Sequence, residues 1–191
     1  MSNNITIRQS KKQDAQGILD IYYYWKDCFI DEDPLKRYYV LKNEFTLGQL
    51  QRICDEGLAT VAVANDVIAS FYFLNPYYDT GNLRERKIVI RELIDRKVLP
   101  NGKYAYSLLS STHKDYQGMG LNNKTLHLLR DLLKLKYDYF VGVMSYDNTA
   151  THKSSLKMGW KHFGDIGIGL LAVIGTTDEK NKLLIPPPPN F

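Results

Sequence analysis

The chain has 191 residues, of which 44% are apolar and 24% charged, and a formal net charge of +4. That is enough for one domain with a substantial core, and the composition is that of an ordinary globular protein. The charge is too small and dispersed for a nucleic-acid binder, yet it suits an anionic small ligand. The start of the chain, Met1 to Arg8, holds no apolar signal core, and the longest apolar run, Ile168 to Gly175, is far too short to span a bilayer. Cys28 and Cys54 lack metal-like spacing and are expected as reduced, partly buried thiols, which makes the cytoplasm the default compartment.

Ile5 to Arg8 alternates like a short strand. Asp14 is placed to cap a helix in which Ile18, Tyr22, Trp25 and Phe29 recur at helical spacing. The acidic, proline-containing Asp31 to Pro34 ends it. Thr46 to Gln49 has the form of a capping box, with Leu47, Leu50 and Ile53 beneath it and Gly57 as a stop. Leu58 to Ala64 and Val67 to Leu74 predict two strands joined by the polar turn Asn65-Asp66, a hairpin.

Residues 75–103 break this rhythm. A turn-rich stretch, Asn75 to Gly81, leads into a charged helix over Leu83 to Val98, and Pro100 to Gly102 closes the segment. Tyr104 to Ser111 then predicts a strand, and a helix follows from about Leu121 to Lys136. Leu128, Leu129, Leu132 and Leu135 are expected toward its core side, with Asn123, His127, Arg130 and Lys134 on a polar face. Tyr139 to Ser145 reads as a strand, Asp147-Asn148 as a turn and Thr149 to Met158 as a short helix stopped by Gly159. Trp160 to Ile174 supplies one or two last strands. No internal repeat is present, and Pro186 to Pro189 predicts an extended tail over 181–191.

The most informative stretch joins the Tyr104 strand to the leucine-rich helix: Tyr116-Gln117-Gly118-Met119-Gly120-Leu121-Asn122. Two glycines two residues apart allow a tight turn and a close backbone approach to a ligand. The helix behind them aims its free N–H groups and positive dipole end at the same place. Together these form an anion site suited to a pyrophosphate. A dinucleotide fingerprint would need a third glycine where Asn123 stands, and no Gly-Lys-Ser/Thr follows for a P-loop.

The pattern resembles the coenzyme A loop, Gln/Arg-x-x-Gly-x-Gly/Ala, of the GNAT superfamily of acyl-CoA N-acyltransferases. Gln117 stands at its first position, Gly120 at its fourth and Asn122 at its sixth, where Gly or Ala is usual. Ile5 to Arg8 with Asp14-Ala15 resembles the family's first strand and helix start. Asn148, followed by Gly159-Trp160, resembles its Asn…Gly-Phe segment, with Trp160 in place of Phe. The order of elements from residue 4 to 174 is that of the family as well. The resemblance implies an α/β fold, a GNAT-like mixed sheet flanked by helices on both faces, over residues 1–180, with an insertion at 75–103.

It further implies an acyl-CoA-dependent N-acyltransferase, in its simplest form an acetyltransferase moving acetyl from acetyl-CoA to a primary amine of a small molecule or amino acid. A longer acyl donor, or a domain that binds or senses coenzyme A without turnover, stays open. By resemblance, backbone groups of Thr112 grip the pantetheine arm. The N–H groups of Gly118, Met119, Gly120, Leu121 and Asn122 hold the pyrophosphate beside Gln117, Lys124 adds charge unless it is a plain solvated lysine, and Asn148 joins the coenzyme site. The protein-N-terminus branch carries a Glu and a Tyr where this chain has Val143 and Ser155. That leaves Ser155, able to pass a proton through water or to pack as a small residue, and Tyr146, one of four tyrosines on or beside the central strands, as catalytic candidates. His113 is expected in a surface or structural role, and His127 in the polar helix stripe. His152 and His162 lack partners at ligand spacing, so no metal site is expected. The expected partner is the amine acceptor, with neither nucleic acid nor membrane, and homodimerisation stays open. The inserted segment, with Tyr77, Tyr78, Arg84, Arg86 and Arg91 beside Ile88, Ile90 and Ile94, is expected either to cover the acceptor side of the cleft or to serve as a surface helix or dimer contact.

Overall fold

The computed structural model describes residues 4–28, 45–74, 102–144, 149–165 and 170–175, with single positions at 91, 94 and 95. The chain gathers into two compact units, one made of Met1–Asn75 with Leu108–Leu132 and the other of Pro76–Ser107 with Leu133–Phe191. A strand, β4 (Tyr104–Thr112), passes from the second unit into the first.

In the first unit, β1 (Ile5–Gln9) pairs antiparallel with β2 (Ala59–Ala64), which pairs antiparallel with β3 (Val67–Leu74). The hairpin turns on Asn65 and Asp66, whose φ values of 49° and 63° are the left-handed pair that a two-residue turn requires. The register slips between Ala62 and Val63, so that Ser70 faces Ala62 while Ile68 faces Val63. Ala69 is therefore an extra residue, a β-bulge.

Alternation about this bulge assigns the two faces. On one, Ala62, Ala64 and Ala69 pack with Leu121 of α3 (Leu121–Leu133), and the buried Thr60 hydroxyl donates to the Thr125 carbonyl at 2.8 Å. On the other, Phe71 stacks with Phe73, Phe73 meets Phe45 edge-on at 5.3 Å, and Phe45 meets Tyr22 at 5.4 Å. Tyr22 belongs to α1 (Ala15–Cys28), which packs on β3 and on α2 (Leu47–Asp55). The first unit thus has helices on both faces of its strands.

The local signals explain the helix starts. Thr46 Oγ1 accepts from the Gln49 N–H at 3.2 Å and Gln49 Oε1 from the Thr46 N–H at 2.9 Å, the reciprocal capping box. Leu50 and Ile53 are buried beneath it, whereas Leu47, expected with them, is exposed. Asp14 closes a short 3-10 turn ahead of α1, its Oδ2 accepting from the Lys11 N–H and both oxygens taking the Arg8 guanidinium at 2.7 and 2.9 Å. Burial opposes the charge, but the Arg8 hydrogen bonds, the Lys11 N–H and the Arg8 charge outweigh it and hold the Asp14 carboxyl below its ordinary value.

The apolar stripe of α3 differs from the expected one. Leu121, Leu126, Leu129 and Leu133 are buried, while Leu132 is 44% and Leu135 94% exposed. The helix ends at Leu133, so Leu135 lies beyond it. Thr125 occupies a buried stripe position, satisfied by donating to the Asn122 carbonyl at 2.8 Å, and a polar residue there conceals the stripe in the sequence. Cys54 is buried and Cys28, at the end of α1, is exposed.

In the second unit the start of β4 pairs parallel with β5 (Tyr139–Met144), from Tyr104 opposite Tyr139 to Ser107 opposite Gly142. The Lys103 carbonyl accepts from the Asp138 and Tyr139 N–H groups, and Asp138 Oδ2 accepts from the Lys103 N–H, which fixes this register. β5 pairs antiparallel with β7 (Leu170–Gly175), and β7 antiparallel with β6 (Lys161–Asp165). The segment Trp160 to Ile174 therefore supplies two strands, preceded by α4 (Thr149–Lys157). Among the described pairings β4–β5 is parallel and the others are antiparallel, which makes the arrangement mixed, an α/β fold.

Candidate functional site

The Gln117–Asn122 loop lies in the first unit, together with Ala69, Ser70 and Ser110 beside it. β4 ends at Thr112, and the His113 N–H continues the backbone pairing by donating to the bulge carbonyl, Ala69 O, at 2.8 Å. His113 Nδ1 then accepts from the Asp115 N–H at 3.3 Å and caps the 3-10 turn Lys114–Tyr116, the structural role expected for it. Gln117 is extended, and Gly118 and Gly120 adopt φ values of +77° and +68°. Side chains with a Cβ are strained there, so the glycines are what let the chain double back onto the helix start.

A Cβ built on Gly118 or on Gly120 would meet no atom within 4 Å. The glycines are therefore not demanded by packing; the space beside them is open. Gln117 to Gly120 are exposed, whereas Leu121 is buried against the sheet and anchors the first turn of α3. Gly120 accepts the first helical hydrogen bond, from the Lys124 N–H, and has no side chain with which to cap the turn. The Lys124 side chain is exposed. An exposed helix start, preceded by two glycines with open space beside them and lacking a side-chain cap on Gly120, is chemically matched to a phosphate or pyrophosphate.

Asn122, the departure from Gly or Ala, turns its amide toward β4. Its Nδ2 donates to Ser110 Oγ of β4 at 3.0 Å, and its Oδ1 is buried without a hydrogen-bond partner among the described residues. The Asn side chain thus ties α3 to β4 and leaves the backbone N–H pointing out of the helix start.

The strand end is built from hydroxyls and one indole. Ser70 Oγ donates to the Ser111 carbonyl at 2.9 Å, so Thr112 Oγ1, 3.0 Å away, donates to Ser70. The Ser111 carbonyl and the His113 N–H are both held from the β3 side. By alternation the Thr112 carbonyl faces the opposite edge, where Trp25 Nε1 donates to it at 2.9 Å. Sequence reasoning missed this bond, because a tryptophan at helical spacing reads as core.

The remaining candidates belong to the second unit. Ser155 is 2% exposed; its hydroxyl donates to the His152 carbonyl at 2.9 Å and lies 3.0 Å from His162 Nε2. With its proton on His152 O, Ser155 accepts from a His162 ring carrying hydrogen on Nε2. The His152 and His162 rings meet edge-on at 5.3 Å. Burial, with the neighbouring His152 second, lowers the pKa of His162, which favours the neutral ring that this contact uses. Tyr146 and Asn148 lie outside the described residues, as does the Leu83 to Val98 helix apart from positions 91, 94 and 95. Among the described residues no group of three or more His, Cys, Asp or Glu is placed to hold a metal ion, and no helix is long and apolar enough to cross a membrane.

No protein-family model matches the sequence, and no curated protein matches it. Solved structures do match. A Salmonella typhimurium protein, YncA, assigned as an acetyltransferase and solved with acetyl-CoA, is similar over 92% of this chain and 96% of its own, with a TM-score of 0.62 at 15% identity. The PaiA N-acetyltransferase of Thermoplasma acidophilum, in complex with coenzyme A, is similar over 90% of this chain and 99% of its own, with a TM-score of 0.63 at 13% identity. A GNAT-family acetyltransferase of Listeria monocytogenes is similar over 92% and 98%, with a TM-score of 0.64 at 10% identity. The chain has the GNAT fold. Within the GNAT fold the first strand, the hairpin, β4 and α3 stand in the order expected from the sequence. Identities of this size carry the fold and leave the acceptor open.

Proposed function

We propose that this protein is an acyl-CoA-dependent N-acyltransferase, which transfers acetyl from acetyl-CoA to a primary amine of a small molecule or amino acid. One observation carries the reading. On a GNAT fold, two left-handed glycines directly before α3 border open space that a side chain would fill. The backbone N–H groups of Gly118, Met119, Gly120, Leu121 and Asn122 would hold the pyrophosphate, with Gln117 and the exposed Lys124 at its rim. Charge-assisted hydrogen bonds of this kind contribute about 1.5–3 kcal/mol each. Thr112 would grip the pantetheine arm through its backbone, and Asn148 is proposed for the coenzyme site on the sequence resemblance alone.

In the reaction the amine nitrogen attacks the thioester carbonyl carbon, the carbon–sulfur bond breaks, and the sulfur leaves as a thiolate that takes up a proton. The amine loses one proton, to water or to a side chain. Tyr146 is the proposed phenolic donor to the thiolate, and Ser155 would act only through water. The buried Ser155 hydroxyl, engaged with His152 and His162, favours one second reading: a domain that binds coenzyme A without turning it over. Incubating the protein with acetyl-CoA and longer acyl-CoAs against a panel of amines, with free thiol measured over time, separates the two. Amine-dependent thiol release supports the transferase. Saturable binding with no thiol released from any pair supports the sensor.

A further inference from the structure

The last carbonyl of β4 already has a hydrogen-bond partner from another element. Trp25, in the last turn of α1, places its indole N–H 2.9 Å from the Thr112 carbonyl, on the edge of β4 turned away from β3. Thr112 is the last residue of β4, and only four residues, His113 to Tyr116, separate it from Gln117 at the start of the glycine loop. A linear ligand anchored by its phosphates at Gly118 and Gly120 and running back along that edge would reach the Thr112 carbonyl that the indole holds. The ring is half-buried and braced by Tyr24 edge-on at 5.1 Å, so an arm on the same edge would have to displace it.

Resting on the coenzyme reading above, we propose that Trp25 is a specificity-determining gate on the edge of β4, which yields only to a ligand whose arm brings an N–H for the Thr112 carbonyl in its place. Moving the indole aside with nothing to replace it strands a part-buried carbonyl, at a penalty of about five- to 150-fold in affinity. A pantetheine arm carries amide N–H groups and avoids that loss. A nucleotide without an arm leaves the gate closed, and a plain alkyl chain must bear the penalty.

Trp25 and Trp160 are the two tryptophans of the chain, so fluorescence isolates the gate. Trp160 is buried, and its Nε1 has no partner among the described residues, so Trp160→Phe removes no hydrogen bond seen there. The full-length Trp160→Phe protein is titrated with coenzyme A and with the arm-less nucleotide, coenzyme A truncated at its pyrophosphate. Coenzyme A is expected to shift the Trp25 emission as the indole leaves Thr112; the arm-less nucleotide binds without a shift. In a second variant, Trp25→Phe, coenzyme A binds about two- to tenfold tighter because no hydrogen bond has to be broken, while the arm-less nucleotide binds as before. Saturation by coenzyme A with unchanged emission, or weaker coenzyme binding by Trp25→Phe, overturns the gate and spares the coenzyme reading. Failure of both ligands to bind overturns both.

Discussion

Replacing Gly120 by valine loads the loop with two separate penalties, and each has its own readout. At φ +68° a β-branched residue is strained by about 1–2 kcal/mol whatever surrounds it. For a chain of this size each kcal/mol corresponds to roughly 2–4 °C in Tm, so a loss of about 2–8 °C is expected by calorimetry. A Cβ there has open space to 4 Å, so packing is expected to add little to that loss. The second penalty falls on the ligand, because the valine branches enter the open space beside the loop that is proposed for the pyrophosphate. Losing even one charge-assisted hydrogen bond, worth about 1.5–3 kcal/mol, weakens binding by about ten- to 150-fold. Isothermal titration of coenzyme A into Gly120→Val, at a temperature well below its Tm, measures the second term alone. A cooperatively folded Gly120→Val protein with wild-type affinity would refute the loop assignment.

Asp14→Ala removes the carboxylate that takes two Arg8 hydrogen bonds and the Lys11 N–H, and should destabilise by about 1–3 kcal/mol in urea at neutral pH, discounted because Arg8 is part-exposed. The folded pKa of Asp14 lies below its unfolded value, so this contribution is complete above about pH 4 and is lost as the pH falls below it; the wild-type and variant curves should converge there, and parallel curves would show that the ion pair contributes nothing. Ser155→Ala should leave coenzyme affinity intact and lower turnover by about tenfold at most, since water can replace a buried hydroxyl acting at a distance; complete loss of turnover would make Ser155 a catalytic residue. Replacing residues 76–100 by a Gly-Ser turn, which keeps the Lys103 contacts to Asp138 and Tyr139, should abolish acyl transfer and spare coenzyme binding; a normal transfer rate would dismiss the segment as a cover for the acceptor.

The parts of the fold that were legible in the sequence are those dictated locally. Asn65-Asp66 specifies a left-handed two-residue turn, and the hairpin β2–β3 follows with its strand ends within a residue of expectation. Thr46 to Gln49 encodes its own capping box, and the glycines before Leu121 encode the loop. What was illegible depends on distant partners. Trp25 and Thr112 are 87 residues apart, and nothing near either one announces the bond. Ser155 and His162, seven residues apart, meet only because the chain reverses between α4 and β6, so the histidine looked unpartnered. The α3 stripe is hidden in the sequence because a polar residue, Thr125, fills a buried position: its hydroxyl donates to the Asn122 carbonyl, and its own carbonyl accepts from the Thr60 hydroxyl. The Ala69 bulge has no sequence mark at all, though it decides which residues of β3 face α3.

The claim that the Gly118–Asn122 backbone holds the coenzyme pyrophosphate is tested most directly by the amide resonances of the loop. In nitrogen-15-labelled protein, titration with coenzyme A should move the N–H signals of Gly118, Met119, Gly120, Leu121 and Asn122 together and downfield, as expected for hydrogen bonds to a charged oxygen. The arm-less nucleotide should reproduce those shifts, since it keeps the pyrophosphate. Loop resonances that stay still while coenzyme A binds elsewhere, or no response at millimolar coenzyme A, would contradict the account.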